Sequence, residues 1–401
     1  MKKNSFVEGA LIATVAVIIT KILGMLYVIP FYKIIGSQGG ALYSYAYNIY
    51  TIFLGISSAG IPTAISKIIS EYNTLGYDEA KYRTFKIGTK IIGYISVVAF
   101  LIMFIFADLM AKSILGNITG GNTIQDIAFV IRCISFAILV IPYLSVTKGY
   151  IQGHKIITPT SIGSVIEQVV RIFVILAGSF LVYKVFSGSL TLAVGIAVSG
   201  AFFGGLAAYI YLKVKMNQNK SQLGIKEYKK KDKITNKEII QKILAYSVPF
   251  IIINIATSIY NFTDMVLILR GLDMLGFNAI DAEFIQSAIT TWSTKICMVI
   301  SAFAMGMAVS LVPNIVASYV KNEWKDVNAK INKAYQIILV VSIPCAVGIC
   351  ILAKPVWMVF YGPSTYGPQV LSIMILAAIF ANLYAVTFNT MQSLNKYKTV
   401  Y

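Results

Sequence analysis

Three basic residues stand inside stretches that are otherwise apolar: Lys21 within residues 7–35, Arg171 within 159–184 and Lys295 within 284–318. A charge facing hydrocarbon at such depth costs about 3 kcal/mol on insertion scales, so these side chains are expected to face an interior or a water-filled cavity. There, cationic groups can replace the water and counterions around a concentrated anion, phosphate above all. Snorkelling to an interface is the rival reading of Lys21, and its central depth makes that hard. Glu167 precedes Arg171 by four residues on the same helix face. That spacing allows either a structural ion pair or an arginine that still presents donors to an anion. Asp264, near one end of residues 243–270, is a candidate cation or proton site, or the cap of a wet vestibule. Gly24, Pro30, Pro62, Pro249 and Pro313 are candidate hinges, because proline removes a helix hydrogen bond. Tyr43, Tyr45 and Tyr47 read as interface anchors rather than a platform for a ring-shaped ligand.

The elements that must hold these residues are membrane helices. The chain has 401 residues, 57% hydrophobic and 12% charged, with a mean hydropathy of +0.76. A soluble chain carries roughly a quarter charged residues. Ten apolar spans are predicted, at 7–35, 42–70, 87–112, 127–148, 159–184, 189–213, 243–270, 284–318, 333–360 and 366–394. Open sheet edges are intolerable in hydrocarbon, so the expected class is an all-α integral membrane protein. Cys133, Cys297, Cys345 and Cys350 lie in apolar segments without Cys-x-x-Cys spacing, so neither a disulfide framework nor a metal site is signalled, and no cofactor is expected. The basic start reads as an uncleaved first helix rather than a secretion signal.

The net charge of +18 does not point to nucleic acid, because the basic residues alternate between loops. Twenty-three Lys and Arg, Lys148 and Lys155 among them, fall on the N-terminal side and six on the other, which predicts a cytoplasmic N-terminus. Tight loops are expected at Gly36–Gly40 and at Tyr361-Gly362-Pro363. Residues 214–242 read as a basic linker held near anionic lipid, separating an N-terminal lobe (1–213, helices one to six) from a C-terminal lobe (243–401, helices seven to ten). Val146-Thr147 followed by Gln152 reappears as Val386-Thr387 followed by Gln392, and Gly60-Ile61-Pro62 parallels Leu311-Val312-Pro313. Both matches run in the same direction, so the repeats are expected to be parallel. On that reading the second lobe lacks at least two helices and the chain is a truncated form.

Four segments, in order, carry a family resemblance: Lys21-Ile22-Leu23-Gly24; Ser58-Ala59-Gly60-Ile61-Pro62 with Glu71-Tyr72; Gly149-Tyr150-Ile151-Gln152-Gly153-His154 with Pro159, Ser164, Glu167-Gln168 and Arg171; and Leu311-Val312-Pro313. Together they resemble the multidrug/oligosaccharidyl-lipid/polysaccharide (MOP) flippase superfamily, its stage-V-sporulation-protein-B and YtgP-type branch, relatives of the MurJ lipid II flippases. The resemblance implies a MATE/MurJ-like fold of two lobes around a cavity that opens alternately to either side. The implied cargo is an undecaprenyl-pyrophosphate-linked saccharide such as lipid II, moved across the bacterial cytoplasmic membrane. Lys21, Arg171 and Lys295 would meet its pyrophosphate. Membrane lipids and cell-wall synthesis enzymes are the implied partners.

Three other readings are weighed against the residues. An enzyme is disfavoured: His154 is the only histidine, and no His-x4-Asp, Asp-x-Asp or Gly-Lys-Ser/Thr arrangement is present. A MATE-type drug/cation antiporter needs acidic coordination, whereas three basic residues against Glu167 favour an anionic cargo. A non-transporting scaffold in envelope or spore-cortex assembly is the third reading.

Overall fold

Glycines stand at several of the helix ends, Gly60, Gly76, Gly116 and Gly362 among them. The computed structural model describes residues 6–393 except 59, 226–232, 299, 302–314, 316–317 and 320–321. Helix α1 (Phe6–Leu26) and α2 (Val28–Ser58) meet at Tyr27, close to Gly24, with Pro30 in the first turn of α2. A first-turn proline loses no intrahelical hydrogen bond. Inside α2 only Gly36 departs from helical geometry, so the loop expected over Gly36–Gly40 shrinks to a one-residue kink. Gly60, at φ 71, breaks the chain again before α3 (Ile61–Leu75), whose first turn holds Pro62.

Helices α4 (Asp78–Ile105) and α5 (Ala107–Leu115) follow. A capping box between Thr123 and Asp126 opens α6 (Ile124–Ser135), and a 3-10 turn leads into α7 (Ile141–Gly153). Helix α8 (Thr158–Phe173) runs on through π turns at Val174–Gly178 and Leu181–Val185, then α9 spans Leu190–Gln218. Helix α10 (Asn236–Met274) contains Pro249 without interruption, so the helix takes in residues 236–242 of the expected linker. Helix α11 (Ala279–Ser287) continues through a π turn at Ala288–Trp292. Then come α12 (Trp324–Ile351), α13 (Ala353–Tyr361) and α14 (Gly367–Ser393). Eight helices among the described residues are long and apolar enough to cross a membrane, with a shorter apolar helix at Leu11–Leu26. No strand occurs among the described residues. Pro313, with the rest of Leu311-Val312-Pro313, lies outside the described residues.

Contacts group the chain into two compact units, residues 1–23 with 30–286 and residues 24–29 with 287–401. In the first, α8 packs along α9, α3 along α7, and α10 lies on α3, α4 and α5. Its cores centre on Ile65, Ile69, Tyr150 and Leu212, and on Ile68, Tyr72, Ile239 and Ile243. One end of this unit carries the basic loops, where Arg83 Nη2 donates to the Ile234 carbonyl at 2.6 Å and Lys242 pairs with Glu71 at 2.6 Å. In the second unit Cys297, Ile300, Ala346 and Ile375 form a core, and the Tyr361 hydroxyl donates to the Trp292 carbonyl at 2.7 Å. The expected lobes rest on the basic linker and an internal repeat, both features of sequence, whereas these units are drawn by contact. Thr147 donates to the carbonyl four residues back at 2.8 Å, and Thr387 does the same at 2.7 Å.

Candidate functional site

Glycines on α9 set the position of the acid–base pair on α8. A Cβ at Gly204 would stand 2.4 Å from the Glu167 carbonyl oxygen, and one at Gly200 2.8 Å from that of Arg171. This small-x-x-x-small spacing lets two backbones touch, and α8 is held in register by contact rather than by long side chains. Helix α7 supplies the other wall. Its Lys148 and Gln152, one turn apart, face Thr160, Ser164 and Glu167 on α8.

The result is a carboxylate shared by two cations. Arg171 Nη2 donates to Glu167 Oε1 at 2.7 Å, and Lys148 Nζ donates to Oε2 at 3.1 Å and to the Ser164 hydroxyl at 3.0 Å. Each of the three side chains keeps only about a fifth of its surface exposed. Arg171 Nε is buried with no hydrogen-bond partner. Two positive charges against one negative leave the cluster net cationic, and partial burial reduces the dielectric screening of that surplus. Tyr43, Tyr47 and Tyr50 of α2 lie within electrostatic reach of Arg171, with the Tyr43 and Tyr47 rings stacked at 5.7 Å. Tyr43 and Tyr45 are buried, 4% and 0% exposed, so the interface-anchor reading of these two fails.

Lys148 is the residue that sequence reasoning misplaced. Beside Gly149, at the end of an apolar run, it reads as a loop cation, yet it sits within α7. Its spacing of four from Gln152 was the available signal. His154, expected in a short loop, caps α7 and is 3% exposed. Lys21 is half-buried in the body of α1. Lys295 is half-buried in the helical turn after Trp292 and belongs to the second unit. The structure thus brings Glu167 and Arg171 together and adds Lys148, while Lys21 and Lys295 stand on separate elements. Asp264 is exposed on α10, aligned with exposed Asn254, Thr257 and Asn261 at helical spacing. A polar line on an apolar span faces water or protein rather than lipid. Of the hinge candidates, Pro30 and Pro62 follow real helix breaks, and Pro249 does not.

The apolar helices define an all-α integral membrane protein, and comparison with known proteins names the family. A model of the family described as polysaccharide biosynthesis protein matches residues 6–319. The lipid II flippase MurJ of Bacillus subtilis (strain 168) is 32% identical over 98% of this chain and 74% of its own. The chain therefore belongs to the polysaccharide biosynthesis protein family, within the MOP flippase superfamily. A solved structure of the lipid II flippase MurJ, in an inward closed conformation, matches with a TM-score of 0.68, 16% identity, and coverage of 96% of this chain and 76% of that one. An outward-facing multidrug resistance MATE family transporter matches with a TM-score of 0.67, 13% identity, and coverage of 99% and 85%. The fold is MATE/MurJ-like, and the protein is a multi-pass membrane protein.

Proposed function

We propose that this protein translocates an undecaprenyl-pyrophosphate-linked saccharide, lipid II or a related polysaccharide precursor, across the bacterial cytoplasmic membrane. The observation that carries the reading is the net-cationic Lys148–Glu167–Arg171 cluster, which keeps Arg171 Nε without a partner. A neutral pair would serve packing alone, whereas a surplus cation with a spare donor suits a pyrophosphate leaving water. The identity with MurJ supports the same cargo class. Relatives of this fold are solved in inward closed and outward-facing states, which supports alternating access. Lys21 and Lys295 would add cationic stations along the route, and Pro30 and Pro62, at the helix breaks, would serve its bending. The charge bias of the loops supports a cytoplasmic N-terminus. Enzymes that build the saccharide on one face and polymerise it on the other are the natural neighbours.

The test is complementation of a bacterium depleted of its lipid II flippase. The wild-type chain restores growth, and a variant with Lys21, Arg171 and Lys295 all changed to Ala does not, at equal abundance in the membrane. Full activity in that variant sinks the cationic mechanism. The exposed polar line ending at Asp264 supports a second reading, cation antiport. Efflux of a cationic dye that is lost in Asp264→Asn would favour it.

A further inference from the structure

At the end of the first unit that carries the basic loops, α3 and α7 border an open cleft of about 460 Å³. Small-ligand sites commonly measure about 300–1,000 Å³. Along its floor the two helices touch backbone to backbone. A Cβ at Gly149 would stand 2.5 Å from the Pro62 carbonyl oxygen, and one at Gly153 2.9 Å from that of Ser66. The glycines bring Gln152 of α7 into the same cleft as the residues of α3. Thr63, Ser66, Ser70 and Thr74 line it at helical spacing along α3, a row of hydroxyls. The row is about 16 Å long at 1.5 Å per residue.

Serine and threonine within a helix can bond to the carbonyl one turn back. Ser58, Thr89, Thr147 and Ser199 all do so here. Thr74 follows them, donating to the Ser70 carbonyl at 3.0 Å. The hydroxyls of Thr63, Ser66 and Ser70 make no hydrogen bond among the described residues. The charges of the cleft are already engaged. Glu71 pairs with Lys242 of α10 at 2.6 Å, and Lys67 Nζ lies over the Tyr246 ring at 4.1 Å. Gln152 Nε2 donates to the Thr160 hydroxyl at 3.3 Å, which leaves the amide oxygen to accept. Hydroxyl and amide groups both donate and accept. An anion would call for unpaired cations, and an apolar ligand for apolar walls. A row of neutral groups that give and take hydrogen bonds matches a sugar.

The cleft adjoins the cationic cluster. Gln152 stands one turn beyond Lys148 on α7. Pro62, next to Thr63, packs against Gly149, next to Lys148, so the end of the hydroxyl row farther from the loops is level with Lys148. We propose that this cleft binds the saccharide of the cargo. Thr63, Ser66, Ser70 and Gln152 hydrogen-bond its hydroxyl and amide groups while the pyrophosphate lies at Lys148 and Arg171. The inference rests on the flippase reading above and adds to it the site that recognises the sugar. Sugar and pyrophosphate are joined directly in such a lipid, so their two stations must be neighbours, as Gln152 and Lys148 are.

Binding of two probes to the purified full chain, read by microscale thermophoresis, tests this. One is undecaprenyl pyrophosphate; the other is the same lipid carrying a disaccharide of N-acetylated hexosamines. The wild type is expected to bind the disaccharide form about tenfold more tightly, the worth of one or two good hydrogen bonds. In a variant with Thr63→Val, Ser66→Ala and Ser70→Ala that advantage should fall to about twofold or less, with affinity for the sugar-free lipid unchanged. Equal wild-type affinity for the two probes, or a sugar advantage that survives in the variant, overturns the proposal and leaves the cationic cluster's role standing. So does a variant that unfolds at the wild-type temperature and loses both affinities alike. If the triple variant does not fold, Ser66→Ala at its half-buried position carries the same comparison, with part of the advantage lost. Wild-type protein that binds neither lipid removes the flippase reading, and this site with it.

Discussion

Glu167 carries one negative charge and holds two cations, so removing each partner leaves a different remainder. Without Lys148 the pair with Arg171 is neutral; without Glu167 two cations repel across a half-buried gap. Lys148→Ala is therefore expected to lower flipping at least about tenfold in reconstituted vesicles, one charge's worth of roughly 1.4 kcal/mol or more. Lys148→Arg should retain most of it. Normal flipping by Lys148→Ala would show that surplus charge is not what the cargo uses. Glu167→Ala should instead act on folding, costing about 3 kcal/mol or less given the residual exposure, because it strands charges rather than removing them. Thermal unfolding monitored by tryptophan fluorescence separates the two effects: Glu167→Ala lowers the midpoint, and Glu167→Gln with Arg171→Gln restores it without restoring transport.

Between helices, the contact of α9 with α8 depends on missing side chains. A branched residue at Gly204 meets the Glu167 backbone at 2.4 Å and has nowhere to go. Gly204→Val is expected to cut the yield of folded protein severalfold, by size-exclusion profile, while the same residue at exposed Phe203 is tolerated. Equal yields would mean that α8 and α9 adjust more freely than their backbone contact implies. Such elements were largely legible beforehand. Apolar runs gave the spans, but the loop expected over Gly36–Gly40 is a one-residue kink, and the break at Gly60 falls inside the expected span 42–70. The Glu167–Arg171 pair followed from a spacing of four. What stayed hidden needed three-dimensional information. Lys148 looked like a loop residue because hydropathy falls near Gly149, although α7 continues to Gly153. The tyrosines of α2 looked amphipathic, and only packing shows which face turns inward. Glu283 meets Asn122 across 161 positions, a pairing that no local pattern encodes.

Across the whole molecule, the sidedness of the loops is the property that every transport model needs. Single cysteines replacing Gln38 and Pro363 should react with a membrane-impermeant maleimide in intact cells, whereas those replacing Lys220 and Lys325 should not, in a background without native cysteines. External labelling at 220 would reverse the orientation that the loop charges predict. The shared carboxylate also bears on how the chain is made. Arg171 and its counter-ion lie on one helix, a turn apart, so α8 can leave the translocon as a segment that has already neutralised itself. Lys148 belongs to the preceding helix and enters the bilayer before Glu167 has been synthesised. Until then its ammonium must lodge near the end of α7, at the headgroups. Final seating of α7 thus waits on α8, and the cationic surplus is assembled only when synthesis of the pair of helices is complete.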